Sequence, residues 1–346
     1  MKKNGIKIKK ENAERFRKYL IEQNLLIKDL KINKDEEFVY FPVNDYPNKI
    51  SSFEPVKMEF EKIKEKPKSY KDIALIPAKF KKKLPTSYDV IGDILIIKIP
   101  KELMYYKRQI GKALMKVNKN ITTVCHTNPV TGEFRTHNLE VISGKKSTFT
   151  IHKEYGLNFY LDISKAYFSP RLSEERKRIA DLVKTGEIVI DMFAGIAPFS
   201  IMIAKYAKPK IVYAFDKNKD AINYALENIR LNKVIDKIEM IHADSKDIKN
   251  VLLKKVSRVD RIIMNLPFTA HKYFPNALSL ISDRCVIHYY TIIEEKKIKG
   301  RLKELEKMGH ENKILYTECK IRKIKTYSPR EFYIGIDITA KKKMPM

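Results

Sequence analysis

From residue 188 to residue 338 the chain alternates short apolar runs with helical stretches, the runs falling at 188–192, 211–215, 238–242, 261–264, 286–290 and 333–338. Each run has the length of one buried strand, and the stretches between them are long enough for crossover helices. Alternation of this kind is the signature of a mostly parallel, doubly wound sheet. The expected fold class is therefore α/β. In such a sheet ligands lie at the carboxyl ends of the strands, so chemistry is expected in the residues that follow each run.

Upstream the rhythm differs. Ala13, Phe16 and Leu20 share one helical face within residues 11–24, and the strand-like run 38–41 is bounded by Pro42. These features suggest a small α/β module over residues 1–62. Residues 57–68 are charged and lack apolar periodicity, which places a linker at 63–70. Residues 71–167 carry a β run at 93–99, a helical stretch at 101–117 and a hairpin whose arms, 148–152 and 157–162, flank Glu154-Tyr155-Gly156. There the glycine can supply the positive φ of a tight turn. A middle α/β domain is expected over 71–167, with the doubly wound domain over 168–346.

Charge narrows the partner. The 70 Lys and Arg residues outnumber 42 Asp and Glu for a net of +28, which favours a polyanion through counterion release. A charge-rich thermophile surface would account for the content but not the imbalance, and nucleic acid is the simplest polyanion. Cys125, Cys285 and Cys319 form no C-x-x-C pair, so neither a disulfide framework nor a metal site is expected. No hydrophobic signal core follows Met1 and no run of about 18 apolar residues occurs. A cytoplasmic monomer with no membrane partner is the expectation.

The run 188–190 leads into Asp191-Met192-Phe193-Ala194-Gly195-Ile196-Ala197-Pro198-Phe199. A small-residue turn at that point lets backbone approach a cofactor closely. It is neither G-x-G-x-x-G nor a Walker turn, which argues against a pyrophosphate cradle. The next run ends at Asp216, suited to ribose hydroxyls, and the third near Asp244, suited to an adenine amine. Alone, each could merely cap the helix that follows. Together with the Phe-Ala-Gly turn they suit an adenosyl cofactor without phosphates. The fourth run ends in Asn265-Leu266-Pro267-Phe268, where a rigid turn can present an amide to the edge of a planar base. In isolation that tetrapeptide is an ordinary strand-ending turn.

Phe134-Arg135, Tyr167 through Leu172, Glu175-Arg176, the turn 191–199, Asn265-Leu266-Pro267 and Tyr327-Ser328-Pro329-Arg330-Glu331 together resemble the archaeal and eukaryotic type of tRNA guanine-37 N1-methyltransferase. The resemblance spans nearly the whole chain. It implies a class I Rossmann-like methyltransferase domain, S-adenosylmethionine as methyl donor, tRNA as partner, and an N-terminal module that touches the outer corner of the tRNA. Guanine N1 carries a proton, so its methylation needs a base, and a cation must steady the charge that appears on O6. By resemblance Glu175 is the base and Arg135 the cation, with Asn265 at the target base. Tyr167, Arg176, Asp191, Phe193, Ala194, Gly195, Asp216, Lys217, Asp244, Ser245, Asn265 and Pro267 form the implied cofactor set.

Without the resemblance Glu175 would carry no preference over Glu174, since acidic residues are favoured in a first helical turn by the macrodipole. Arg135 could simply hold a phosphate. Two positions depart from the family pattern: Ala197 stands where Gly is frequent, adding a methyl expected near the cofactor, and Phe268 stands where Lys is common. A sister branch that methylates C7 of the wyosine precursor 4-demethylwyosine tends to carry Asn-Pro-Pro-Tyr, so Asn265-Leu266-Pro267-Phe268 favours the N1 branch. Other readings are a non-catalytic tRNA-binding protein, which the retention of Glu175, Arg135, Asp216 and Asn265 opposes, and an adenine or ribosomal RNA methylase. The last leaves the first module unexplained.

Overall fold

The computed structural model describes residues 2–47, 53–63, 69–128, 138–253 and 255–343, which fall into two compact units, Met1–Lys68 and Ser69–Met346. Most of the linker expected at 63–70 lies outside the described residues.

The first unit is a four-stranded antiparallel sheet covered by one helix. Strand β1 (Lys2–Lys9) runs into α1 (Lys10–Glu22), followed by β2 (Asn33–Lys34), β3 (Phe38–Pro42) and β4 (Glu54–Glu59) in the order β2-β3-β1-β4. Ile6 and Ile8 alternate with lysines along β1, so the apolar pair points inward. Phe16 and Leu20 of α1 close over them with Phe41 and Val43.

The second unit opens with the short helices α2 (Tyr70–Ile73) and α3 (Ala78–Lys81). Strands β5 (Asp89–Ile91), β6 (Ile94–Ile97), β7 (Thr123–Thr127) and β8 (Leu139–Gly144) form a sheet in chain order. Only β6 and β7 run parallel, and α4 (Lys107–Val117) is their crossover. The β run expected from residue 93 starts at Ile94, because Gly92, at φ +58°, and Asp93 make the turn into it. Asp93 is tied there by the Thr150 hydroxyl at 2.7 Å. The expected helix over 101–117 begins as a 3-10 turn, Lys101–Tyr106.

Strands β9 (Phe149–Glu154) and β10 (Leu157–Asp162) form the expected hairpin. Both turn residues have positive φ, Tyr155 at 47° and Gly156 at 76°, the arrangement of a two-residue I′ turn. Tyrosine is costly in that conformation, and the Tyr206 hydroxyl donates to its carbonyl.

The remainder comprises α5 (Ser173–Leu182), β11 (Ile188–Asp191), α6 (Pro198–Tyr206), β12 (Ile211–Asp216), α7 (Lys219–Leu231), β13 (Ile238–His242), α8 (Ile248–Leu252), β14 (Arg261–Met264), α9 (Ala270–Leu278), β15 (Arg284–Glu294), α10 (Ile298–Glu311), β16 (Ile314–Thr326) and β17 (Glu331–Lys342). The sheet order is β13-β12-β11-β14-β15-β17-β16. The strands from β13 to β15 are parallel, and β17 is antiparallel to both its neighbours. This is the class I methyltransferase arrangement. Among the described residues no helix is long and apolar enough to cross a membrane.

Across the boundary expected at residues 167 and 168 the chain packs continuously within the second unit. Ile91, Ile94, Ile96 and Cys125 share one core with Phe159 and Leu161 of the hairpin and with Ile201 and Val212 beyond it. Asn228 of α7 and Asn232, which caps the helix C-terminus, act as a further strand on β10. Asn228 Oδ1 accepts from Tyr160 N at 2.7 Å and its Nδ2 donates to Tyr160 O at 3.1 Å. Asn232 repeats the pair on Asn158 at 2.9 and 2.8 Å. The other strand is pinned by charge, since Arg176 donates to Glu154 through Nε at 2.9 Å and through Nη2 at 2.5 Å, both side chains being 2% exposed. Removing one partner would strand a buried charge, so Glu154→Gln is expected to lower the unfolding free energy by about 3–5 kcal/mol. Urea titration of the full chain measures this, and a loss under about 1 kcal/mol would show the pin to be dispensable.

Candidate functional site

Strand β11 has β12 on one side and β14 on the other, so the winding of the sheet reverses beside it. At the carboxyl ends of these strands lies a cavity of about 860 Å³. Phe193 and Gly195, Asp216 and Lys217, and Asp244 and Ser245 line it from the turns after β11, β12 and β13. Asn265 through Thr269 line it from the turn after β14, with Tyr167, Tyr327 and Tyr333 contributing rings. Lys98, Lys272 and Tyr273 also reach it. No sequence pattern set these three apart from the many other lysines and tyrosines.

Gly195 has φ +56°, and its N–H donates to Asp216 Oδ2 at 2.7 Å. A Cβ there would meet nothing nearer than the Tyr167 carbonyl oxygen at 3.8 Å, so the glycine leaves open space above the turn. Asp216 Oδ1 accepts from Asn218 N at 2.8 Å. Asn218, not Asp216, caps α7, accepting from Asp220 N at 3.0 Å. Burial pushes the Asp216 carboxyl up from the ordinary carboxylate range, against the backbone N–H groups of Asn218, Gly195 and Lys217. Asp244 pairs with Lys217 Nζ at 3.4 Å, and the Ser245 hydroxyl donates back to the Met192 carbonyl.

Three of the residues expected to hold the cofactor do not line this cavity. Arg176 does not reach the cavity: it is the buried pin on Glu154, stacked on Phe168. Asp191 and Ala194 lie behind the turn. Asp191 is fully buried and accepts from the Ser200 hydroxyl at 2.8 Å, while the Ala194 N–H is used by the Phe215 carbonyl. The Ala197 methyl is buried in the core, away from the cavity lining. What Ala197 costs is backbone strain, since its φ of 64° disfavours an L-residue by roughly 1–2 kcal/mol.

On the opposite wall the Tyr333 hydroxyl donates to Asn265 Oδ1. The side-chain carbonyl expected to face a base is thus engaged by Tyr333. Phe268 packs edge-on against Tyr327 with ring centroids 5.6 Å apart, giving the rim a pair of half-exposed rings where a lysine was the family expectation.

Glu175 is 5% exposed and does not line the cavity. Its carboxylate accepts from the Tyr290 hydroxyl at 2.7 Å, from Arg178 at 2.7 and 3.0 Å, and from Arg322 at 2.9 Å on both oxygens. The Tyr290 ring packs 6.0 Å from Tyr333, so aromatic packing joins Glu175 to the Asn265 wall. Arg135 lies outside the described residues.

Comparison with known proteins decides the family. The TRM5/TYW2 methyltransferase domain matches residues 150–316, the TYW2 N-terminal domain residues 73–148, and the tRNA methyltransferase 5 N-terminal domain residues 5–51. A tRNA (guanine(37)-N(1))-methyltransferase Trm5b of Pyrococcus abyssi is 40% identical over 96% of this chain and 98% of its own. The chain belongs to the TRM5/TYW2 methyltransferase family. The crystal structure of Trm5b from Pyrococcus abyssi superposes with a TM-score of 0.76 at 39% identity, covering 98% of this chain and 99% of that one. The complex of aTrm5 and tRNALeu gives 0.74 at 34% identity with the same coverage.

The family turn rests on an unusual acid. Burial pushes the Asp191 carboxyl from 3.8 up to about 7, a nearby Asp216 adding to this and the Ser200 hydroxyl and Phe193 N–H opposing it. The folded state therefore binds this proton more tightly than the unfolded state. The corresponding stability is complete below about pH 4 and is lost as pH rises towards 7. Asp191→Asn, which removes the ionisation, should become more stable relative to the parent across that window, by up to about 4 kcal/mol at pH 8. Thermal unfolding at several pH values checks this; a pH-independent difference would contradict it.

Proposed function

We propose that this chain transfers a methyl group from S-adenosylmethionine to N1 of guanine 37 in tRNA. One observation carries the reading: the Gly195–Asp216 turn and the Asn265-Leu266-Pro267 turn line one cavity at the switch point of the sheet, in a chain aligned end to end with guanine-37 N1-methyltransferases.

The residues present fit such a donor. The open space above Gly195 admits close approach, Asp216 and Asp244 offer acceptors for ribose hydroxyls and an adenine amine, and Phe193, Leu266 and Pro267 supply apolar walls. Two carboxylates on that side disfavour a phosphate-bearing cofactor. When bound, S-adenosylmethionine supplies an electrophilic methyl group on a sulfonium centre.

The remaining work falls to the chain. Asn265 and Pro267 hold the target base at the fourth strand, with Tyr333 fixing the amide. Tyr167 packs at the same cavity, and Lys217 and Ser245 brace the cofactor turns. Glu175 takes the N1 proton and Arg135 steadies the charge on O6. Both roles come from the family resemblance; in this chain Glu175 stands one aromatic layer from the Asn265 wall. Holding base and methyl in line is the larger part of such catalysis. Excess positive charge draws in tRNA, the first unit adding contacts away from the reacting base.

The test is incubation with labelled S-adenosylmethionine and unmodified tRNA transcript, followed by nucleoside analysis. N1-methylguanosine at position 37 is expected, whereas transfer only to tRNA carrying the wyosine precursor would move the chain to the C7 branch. Glu175→Gln should slow single-turnover methyl transfer by about 10²–10⁴-fold while tRNA affinity changes little. An unchanged rate would remove Glu175 from the chemistry.

A further inference from the structure

The turn that carries Asn265 and Pro267 ends on a ring with no part in holding the target base. Phe268 follows Pro267 and is 45% exposed, and against it stands Tyr327, 50% exposed, at the turn between β16 and β17. Both line the cavity at its rim. The ring planes meet at 75° with centroids 5.6 Å apart, so each ring supports the other and still keeps about half its surface open. Single exposed apolar side chains are ordinary on a protein surface. Two rings in contact, beside a turn that faces a planar base, are placed differently.

The backbone beneath both rings is held. The Leu266 carbonyl accepts from Thr269 N at 3.1 Å and from Ala270 N at 2.8 Å, and the Pro267 carbonyl accepts from Ile292 N at 3.0 Å. Tyr327 N donates to Glu331 O at 2.9 Å, and the Ser328 hydroxyl donates to the Glu331 carboxylate at 3.0 Å. Exposed rings on ordered backbone lose little freedom when something flat is laid on them.

What covers them follows from the connectivity of the substrate. With guanine 37 held by Asn265 and Pro267, the RNA backbone leaves the cavity over the rim and brings an adjoining nucleotide to the rings. That nucleotide offers a phosphate, a ribose and a base. A lysine, which the family resemblance places at position 268, would meet the phosphate. A phenyl ring gains nothing from a phosphate and most from the π-face of a base. Positive charge is supplied separately, since Lys98, Lys246 and Lys272 line the same cavity and are exposed, Lys272 standing in the first turn of α9.

We propose that Phe268 and Tyr327 form a stacking platform for the nucleobase that adjoins guanine 37 in the tRNA. The chain thereby grips its substrate at the rim through a base face in place of the phosphate that a lysine would take. The proposal rests on the reading of the cavity as the site of guanine 37. Both the 5′ and the 3′ neighbour carry such a face, and the experiment separates them.

Equilibrium binding of the full chain is measured with S-adenosylhomocysteine present, so that no transfer occurs. Three tRNA transcripts are compared: one intact, one abasic at the 5′ neighbour of guanine 37 and one abasic at the 3′ neighbour. Phe268→Ala and Tyr327→Ala should each weaken binding of the intact transcript by about 5- to 50-fold. On the transcript that lacks the stacked base the same substitutions should cost less than about twofold, which identifies the neighbour. Phe268→Tyr should keep the parent affinity, whereas Phe268→Leu, which retains apolar bulk without a π-face, should lose most of it. Equal losses on all three transcripts in either alanine variant, parent affinity in Phe268→Leu, or a loss in Phe268→Tyr as large as in Phe268→Ala would overturn the platform. The nucleoside methylated by the parent enzyme keeps the two readings apart. N1-methylguanosine at position 37 together with equal losses refutes the platform alone, whereas absence of any methylation at nucleotide 37 refutes the underlying reading and the platform with it.

Discussion

The constraint on which the second unit depends is that β11 has parallel partners on both sides. Each parallel partner requires a crossover, and the two crossovers around β11 diverge towards opposite sides of the sheet. Their divergence leaves the carboxyl end of β11 uncovered, and the turn from Phe193 to Gly195 fills part of that gap. The cavity is therefore a product of strand order before it is a product of any side chain. The side chains then specialise it. A glycine at positive φ yields space, Asp216 binds the glycine's N–H, and Asn218 relieves Asp216 of the capping duty a lone aspartate would otherwise have.

How much of this was legible in the sequence depended on the range of the interactions involved. Most strands of the doubly wound sheet were readable because they bury a local apolar run, as at 188–192 and 261–264. The first strand was not, because Ile6 and Ile8 among lysines offer only two apolar positions, and β16 was hidden by its largely polar, exposed edge position. The cofactor wall was partly readable since its residues follow strand ends. Arg176 was misjudged because its partner, Glu154, lies 22 residues away on a hairpin whose docking no periodicity encodes. The company of Glu175 was out of reach for the same reason: Arg322 stands 147 residues downstream, and only sheet order brings it back.

Charge in this molecule divides into two populations with different uses. Four buried or half-buried guanidinium groups, on Arg176, Arg178, Arg261 and Arg322, are met by four carboxylates, on Glu154, Glu175, Asp337 and Glu187. Paired in this way they add nothing to the net charge. The excess of +28 therefore belongs to the remaining, mostly exposed residues, where it can be exchanged for counterions on a polyanion. Interior charges order side chains around the site, and exterior charges gather substrate.

The asparagines at the C-terminal end of α7, Asn228 and the capping Asn232, fix register as well as position. An aliphatic contact between helix and strand tolerates sliding, because dispersion has little direction. Asn228 and Asn232 instead each bind both the N–H and the C=O of one β10 residue, two residues apart, so the fit returns only when the strand moves by a whole two-residue step. A one-residue slip would offer them the wrong face of the backbone. The helix thus works as a gauge for the hairpin, and the same amides cover an edge that would otherwise be open to a strand from another molecule.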